Sequence, residues 1–91
     1  MSIVVPAWRE ERRIGRAVRE LRSLAASWPS LREIIVVVEP GSDGTARVAL
    51  EAAEGDPLVC VVENAEHRGK GSAVRTGMRR AAGGIILFMD A

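Results

Sequence analysis

Hydrophobic positions along this chain follow two rhythms. Four short runs, Ile3-Val4-Val5, Ile34 to Val38, Leu58 to Val62 and Ile85 to Met89, are apolar throughout with no polar alternation. Such runs predict strands buried on both faces, the signature of a parallel sheet. Pro6 is expected to end the first of them. Between the runs, the apolar spacing changes to that of helices. From Glu10 to about Ala26, Ile14, Ala17, Val18, Leu21, Leu24 and Ala25 mark one face, while Arg12, Arg13, Arg16, Arg19 and Arg22 mark the other. Glu10 and Glu11 suit the first turn of that helix, where the dipole favours negative charge. Trp28-Pro29 should close it and cover the core. Thr45 to Ala53 predicts a short Ala-rich helix, stopped by Gly55-Asp56-Pro57. Gly71 to Ala82 predicts a third, with Ala73, Val74, Gly77, Met78 and Ala81 on one side. The order β-α-β-α-β-α-β, with right-handed crossovers, demands a parallel sheet covered on both faces. The fold class is α/β, in a single domain over residues 1–91.

Composition narrows the function more than the fold. A net charge of +1 offers no field for an anionic polymer or membrane surface. Three aromatics and arginines spread along helices make neither a stacking platform nor a one-sided basic face, which argues against nucleic acid. A lone cysteine, Cys60, excludes an intramolecular disulfide and a cysteine zinc site, and its apolar neighbours predict a buried, inert thiol. No basic leader precedes an apolar segment, and no run approaches the roughly 18 apolar residues of a membrane span. The expectation is a cytoplasmic protein without membrane association.

Candidate chemistry sits in the loops that leave the strands. These read Pro6-Ala7-Trp8-Arg9-Glu10, Glu39-Pro40-Gly41-Ser42-Asp43-Gly44-Thr45 and Asn64-Ala65-Glu66-His67-Arg68-Gly69-Lys70-Gly71. In an open parallel sheet the carboxyl ends of the strands share one edge, where ligands bind. Asp43 or Thr45 can cap the second helix, and Glu39 can accept hydrogen bonds from a base or ribose. Glycines, Lys70 and a helix N-terminus together favour a diphosphate. The third loop is not a P-loop, because Gly71 rather than Ser or Thr follows Lys70. No G-x-G-x-x-G follows the first strand, which sets aside a dinucleotide-binding Rossmann domain. Taken alone, each loop also reads as an ordinary capped or solvated turn.

Together, the segments Pro6 to Glu11, Ile35 to Thr45, Asn64 to Gly77 and Ile85 to Ala91 resemble the nucleotide-binding half of GT-A glycosyltransferases. Family 2 enzymes of the dolichyl-phosphate mannosyltransferase type are the nearest likeness, and retaining glucosyl-3-phosphoglycerate synthases look similar. The resemblance implies a Rossmann-like three-layer sandwich with a four-stranded parallel sheet in the order 3-2-1-4. It also implies a nucleoside-diphosphate-sugar donor. Carried over by position, Pro6, Ala7 and Trp8 wrap the nucleoside and Glu10 is the acid of the first motif. Glu39 contacts the base, Lys70 lies near base and diphosphate, and Asp90 begins an Asp-x-Asp element that holds Mg²⁺ or Mn²⁺ once the nucleotide-sugar is bound.

This chain departs from the family pattern in several ways. Pro40 replaces a second acid, Trp8-Arg9 replaces a common Tyr-Asn, and the loop after Glu39 is one residue short. The second acid of Asp-x-Asp, the acceptor half and the usual catalytic base fall beyond Ala91, so no catalytic residue is assigned. The expectation is a donor-binding domain incomplete for transfer by itself. The alternative is a binding or assembly module with a vestigial donor site. A nucleotidyltransferase would need a Gly-rich, Lys-containing loop after the first strand, which is missing. The apolar strand Ile85 to Met89 would form a sheet edge, and an exposed apolar edge predicts a homodimer through it.

Overall fold

The structure is a computed structural model, which describes residues 1–41, 43–64, 69–81 and 86–88. Strand β1 (Ser2–Ala7) pairs in parallel with β2 (Glu33–Val38) along its whole length, from Ser2↔Glu33 to Ala7↔Val38. Strand β3 (Val59–Glu63) continues the sheet on the far side of β2, from Ile34↔Val59 to Val38↔Glu63. The short β4 (Ile86–Phe88) pairs with the start of β1, giving the order β3-β2-β1-β4. Ile85 and Met89, the ends of the expected pairing edge, lie outside the described residues, as do Ser42, His67, Arg68 and Asp90.

Helices α1 (Ile14–Ala26) and α2 (Thr45–Ala53) cover one face, and α3 (Lys70–Arg80) covers the other. The unbroken apolar run of β2 is explained by this sandwich. Ile34, Val36 and Val38 face α1 and α2, where Ile14, Val18, Leu21 and Ala49 meet them. Ile35 and Val37 face the opposite way, with Val4 and Ala73. Ile34 through Val37 are all 0% exposed, and burying each such side chain contributes about 1.5–3 kcal/mol. That burial is the chief stabilising contribution of the fold.

Strand β1 runs through Pro6 instead of ending there. The Ala7 carbonyl accepts the Glu39 N–H from the β2 side at 2.9 Å, so by alternation the donor that Pro6 lacks would face the β4 side. Described pairing on that side stops at Val4↔Phe88, so the proline costs no ladder bond there. Helix α1 begins at Ile14, not Glu10. Arg9 has φ +54°, which turns the chain sharply after β1. Glu10 to Arg13 then form a preceding turn, closed by Arg13 N–H donating to Glu10 O at 2.9 Å. No acid occupies the first turn of α1.

Leu24 and Met78, expected on buried faces, are 42% and 48% exposed. Each lies about 80° or more round its helix from the centre of the buried stripe, at the margin of contact. Cys60 is only partly buried, because β3 is an outer strand and α3 packs chiefly over β1 and β2. Trp28 packs against the core as expected. No helix among the described residues is long and apolar enough to cross a membrane.

Candidate functional site

Parallel register places the residues after β1, β2 and β3 side by side. Glu39 N–H donates to Ala7 O at 2.9 Å, and Asn64 N–H donates to Val38 O at 2.9 Å, so both ladders run one residue past the strands. Glu39 therefore sits between the first and third loops. Its side chain is 3% exposed, and its Oε1 accepts a hydrogen bond from Asn64 Nδ2 at 3.0 Å. A carboxylate removed so far from water requires hydrogen-bonding partners. Asn64 is one of them, and sequence reasoning did not assign it that role. The signal is the register itself: Val38↔Glu63 makes Glu39 and Asn64 the next neighbours across the strands.

Pro6 and Ala7 belong to β1, and Ala7 is buried, so their part at this edge is to deliver Trp8. Trp8 is 43% exposed. The Arg9 guanidinium lies 4.9 Å from the centre of its ring, within the range of a cation–π contact. A side-chain carbon placed on Gly41 would stand 3.8 Å from Trp8 Nε1 and 3.6 Å from Arg9 Cγ, so the tips of the first two loops are in near contact.

A second set of bonds joins these loops through Thr45, which is buried at the start of α2. Its Oγ1 accepts the Glu10 N–H at 3.0 Å and donates to Asp43 Oδ1 at 2.7 Å. Asp43 also accepts the Thr45 N–H at 3.2 Å. The Thr45 hydroxyl holds the Asp43 carboxyl below its usual range, and backbone N–H groups and the Arg9 charge act in the same direction. Glu11 supplies a cap from outside the helix, its carboxylate accepting the Gly44 N–H. Capping of α2 is thus shared between Asp43 and Glu11, and sequence reasoning found only the first.

Glu10 lies in the same turn, but its carboxylate is engaged by Arg13, with Arg13 Nε 2.9 Å from Oε2. Arg9, Glu10, Glu11, Arg12, Arg13 and Asp43 line an open depression of about 280 Å³ between the first two loops. Three acids and three guanidiniums balance there. On the other face of the sheet, α3 opens at Lys70 after Gly69, whose φ of +87° is a conformation glycine adopts without strain. Gly69 has no side chain to cap that helix, and because α3 follows the parallel strand β3 its N-terminus lies at the same sheet edge. Lys70 is placed there by its backbone. Asp90, the expected metal ligand, lies outside the described residues. Among the described residues no three His, Cys, Asp or Glu side chains gather as a metal site.

Three strand ends, an exposed indole, a buried acid and a helix N-terminus share one sheet edge. Residues 2–91 match the profile described as glycosyl transferase family 2. The chain belongs to this family. A dolichyl-phosphate beta-glucosyltransferase of Drosophila melanogaster is 41% identical over 98 residues, which take in all of this chain and 30% of that protein. Among solved structures, mannosyl-3-phosphoglycerate synthase from Rubrobacter xylanophilus superposes with a TM-score of 0.84 at 27% identity, over 99% of this chain and 30% of its own. A Pyrobaculum calidifontis mannosyltransferase in complex with GDP-Man and Mn²⁺ gives 0.75 at 30% identity, over 98% of this chain and 26% of its own. The chain thus spans no more than 30% of the length of these family 2 and GT-A relatives. The fold is the GT-A Rossmann-like arrangement of a parallel sheet and three helices.

Proposed function

We propose that this chain is the donor-binding part of a glycosyltransferase, and that it holds a nucleoside-diphosphate sugar at the carboxyl edge of its sheet. The carrying observation is the convergence of Trp8, Glu39 and Asn64 through the backbone ladder, with α3 opening at Lys70 towards that edge. Trp8 offers a ring for a base to stack on, and the Glu39 carboxylate accepts hydrogen bonds from it. Lys70 and the α3 N–H groups would receive the diphosphate, since both favour an anion. Glu10 serves the rim through its backbone bond to Thr45 more than through its carboxylate.

A divalent cation, Mg²⁺ or Mn²⁺, would enter with the diphosphate, with Asp90 as one carboxylate ligand. When bound, it neutralises charge on the leaving phosphate. The residues of this chain bind and orient the donor. Sugar transfer, to a lipid phosphate as in the name of the Drosophila relative, would be the work of the whole protein. The test is calorimetric titration of the chain with UDP-, GDP- and ADP-sugars in the presence of Mn²⁺. Saturable one-to-one binding of at least one donor is expected. Failure of all three to bind would overturn the donor reading and leave a module with a vestigial site.

A further inference from the structure

Asn64 occupies a position set by the sheet. Val38↔Glu63 is the last register pair between β2 and β3, and the Asn64 N–H continues the ladder to Val38 O at 2.9 Å. The backbone therefore holds Asn64 beside Glu39, and its amide reaches Glu39 Oε1 at 3.0 Å. Glu39 is 3% exposed whereas Asn64 is half-buried.

The chemistry of the pair is asymmetric. An ionised carboxylate only accepts hydrogen bonds, and an amide nitrogen only donates. Asn64 therefore orients Glu39 without neutralising it. A cation in the same place would orient the acid too, but would weaken it as an acceptor. Orientation matters because a hydrogen bond weakens steeply as its angle falls below about 120°.

We propose that Asn64 is a positioning residue that, acting through Glu39, selects a nucleobase carrying a ring N–H. Uracil and guanine carry one, at N3 and N1. The free ring nitrogens of adenine are bare acceptors, which a carboxylate repels. The inference rests on the reading that Glu39 meets the base of the donor, and it adds the residue that sets how the acid is aimed and the class of base it admits.

Titrating the protein with UDP, GDP and ADP isolates the base, because the diphosphate is common to all three. Wild type is expected to bind UDP or GDP more tightly than ADP. In Asn64→Ala that ratio should fall about tenfold, as for a misaligned hydrogen bond to a charged group, with ADP affinity little changed. Asn64→Asp is the isosteric control for folding. Its carboxyl must be protonated to donate to Glu39, so the preference should be lost at neutral pH. A purely structural Asn64 would lower stability in both variants and leave the UDP-to-ADP ratio unmoved. That result, or a wild type that binds all three equally, would overturn the positioning role while the donor site stands. A wild type that binds none of the three would overturn both.

Discussion

Gly77 of α3 lies so close over Val4 of β1 that a side-chain carbon on the glycine would overlap Val4 Cγ1, with Val4 Cγ2 at 3.0 Å and Cβ at 3.2 Å. The helix meets the sheet backbone to side chain, which seats α3 close against the sheet. Alanine is favoured over glycine by about 0.8–1.0 kcal/mol within a helix, but overpacking a core costs about 1–3 kcal/mol. Gly77→Ala should therefore destabilise the chain, seen as a lower urea midpoint. Adding Val4→Ala to it should recover part of the loss, since residues in contact are coupled. Independent, additive effects of the two changes would refute the contact.

Thr45 makes a second prediction. Thr45→Val keeps the shape but leaves the Glu10 N–H without its acceptor and Asp43 without a hydroxyl donor. Leaving such a group unsatisfied costs about 1–3 kcal/mol. Thr45→Ser keeps both bonds and should retain most of the stability. Denaturant midpoints that rank serine below valine would show that methyl packing, not the hydroxyl, matters here.

Acid should weaken the far end of the same helix pair. Arg22 Nη1 donates to Ala52 O at 2.9 Å and pairs with Glu54 at 3.0 Å, while its Nε reaches Asp56 at 3.1 Å. The Leu58 N–H first, and then Arg22, hold the Asp56 carboxyl below its usual range. Asp43 is held low as well. A depressed acid contributes stability above its unfolded value, about pH 3.9, and loses it as pH falls through the folded value. Stability measured from pH 7 down to about pH 3 should decline at the acid end, and the decline should be shallower in Asp56→Asn. Parallel curves for the two proteins would exclude Asp56 from the acid response.

Trp8 should matter to every base alike. Stacking is tolerant of base identity and contributes about 1–3 kcal/mol, so Trp8→Ala should weaken UDP, GDP and ADP by similar factors. The Arg9 guanidinium already lies 4.9 Å from the ring centre, so a stacking base would have to share or displace it. Quenching of Trp8 fluorescence on titration is the direct readout. A selective loss of one nucleotide in Trp8→Ala would contradict a stacking role.

Metal should follow nucleotide. Mg²⁺ normally keeps several waters and takes substrate phosphates as ligands, and Asp90 would bring one carboxylate. Mn²⁺ alone should leave the melting temperature unchanged, and Mn²⁺ with UDP should raise it beyond UDP alone. A rise with Mn²⁺ alone would point to a preformed site.

The strands were legible because five successive β-branched residues from Ile34 to Val38 suit only a strand covered on both sides. The helix starts were less so. The positive φ of Arg9 and the bond from Glu10 N–H to Thr45 are decided by where the second loop arrives, and periodicity carries no trace of that. The order of strands and loops put Trp8 and Glu39 at one sheet edge, where the structure has them. That order could not reveal Asn64, whose role depends on register, nor the exposure of Cys60, which depends on β3 lying outermost. Lys70 is placed by its backbone alone, and Asp90 lies outside the described residues.

The bridge from Glu10 through Thr45 to Asp43 joins residues 33 to 35 positions apart in the chain, as Glu11 and Gly44 do beside it. The first two loops consequently behave as one rim, set when the domain folds. A ligand entering between them meets backbone already in place, so little chain entropy is lost on association. Encounter then proceeds without a slow ordering step, and differences in affinity among related ligands should lie in how fast they leave.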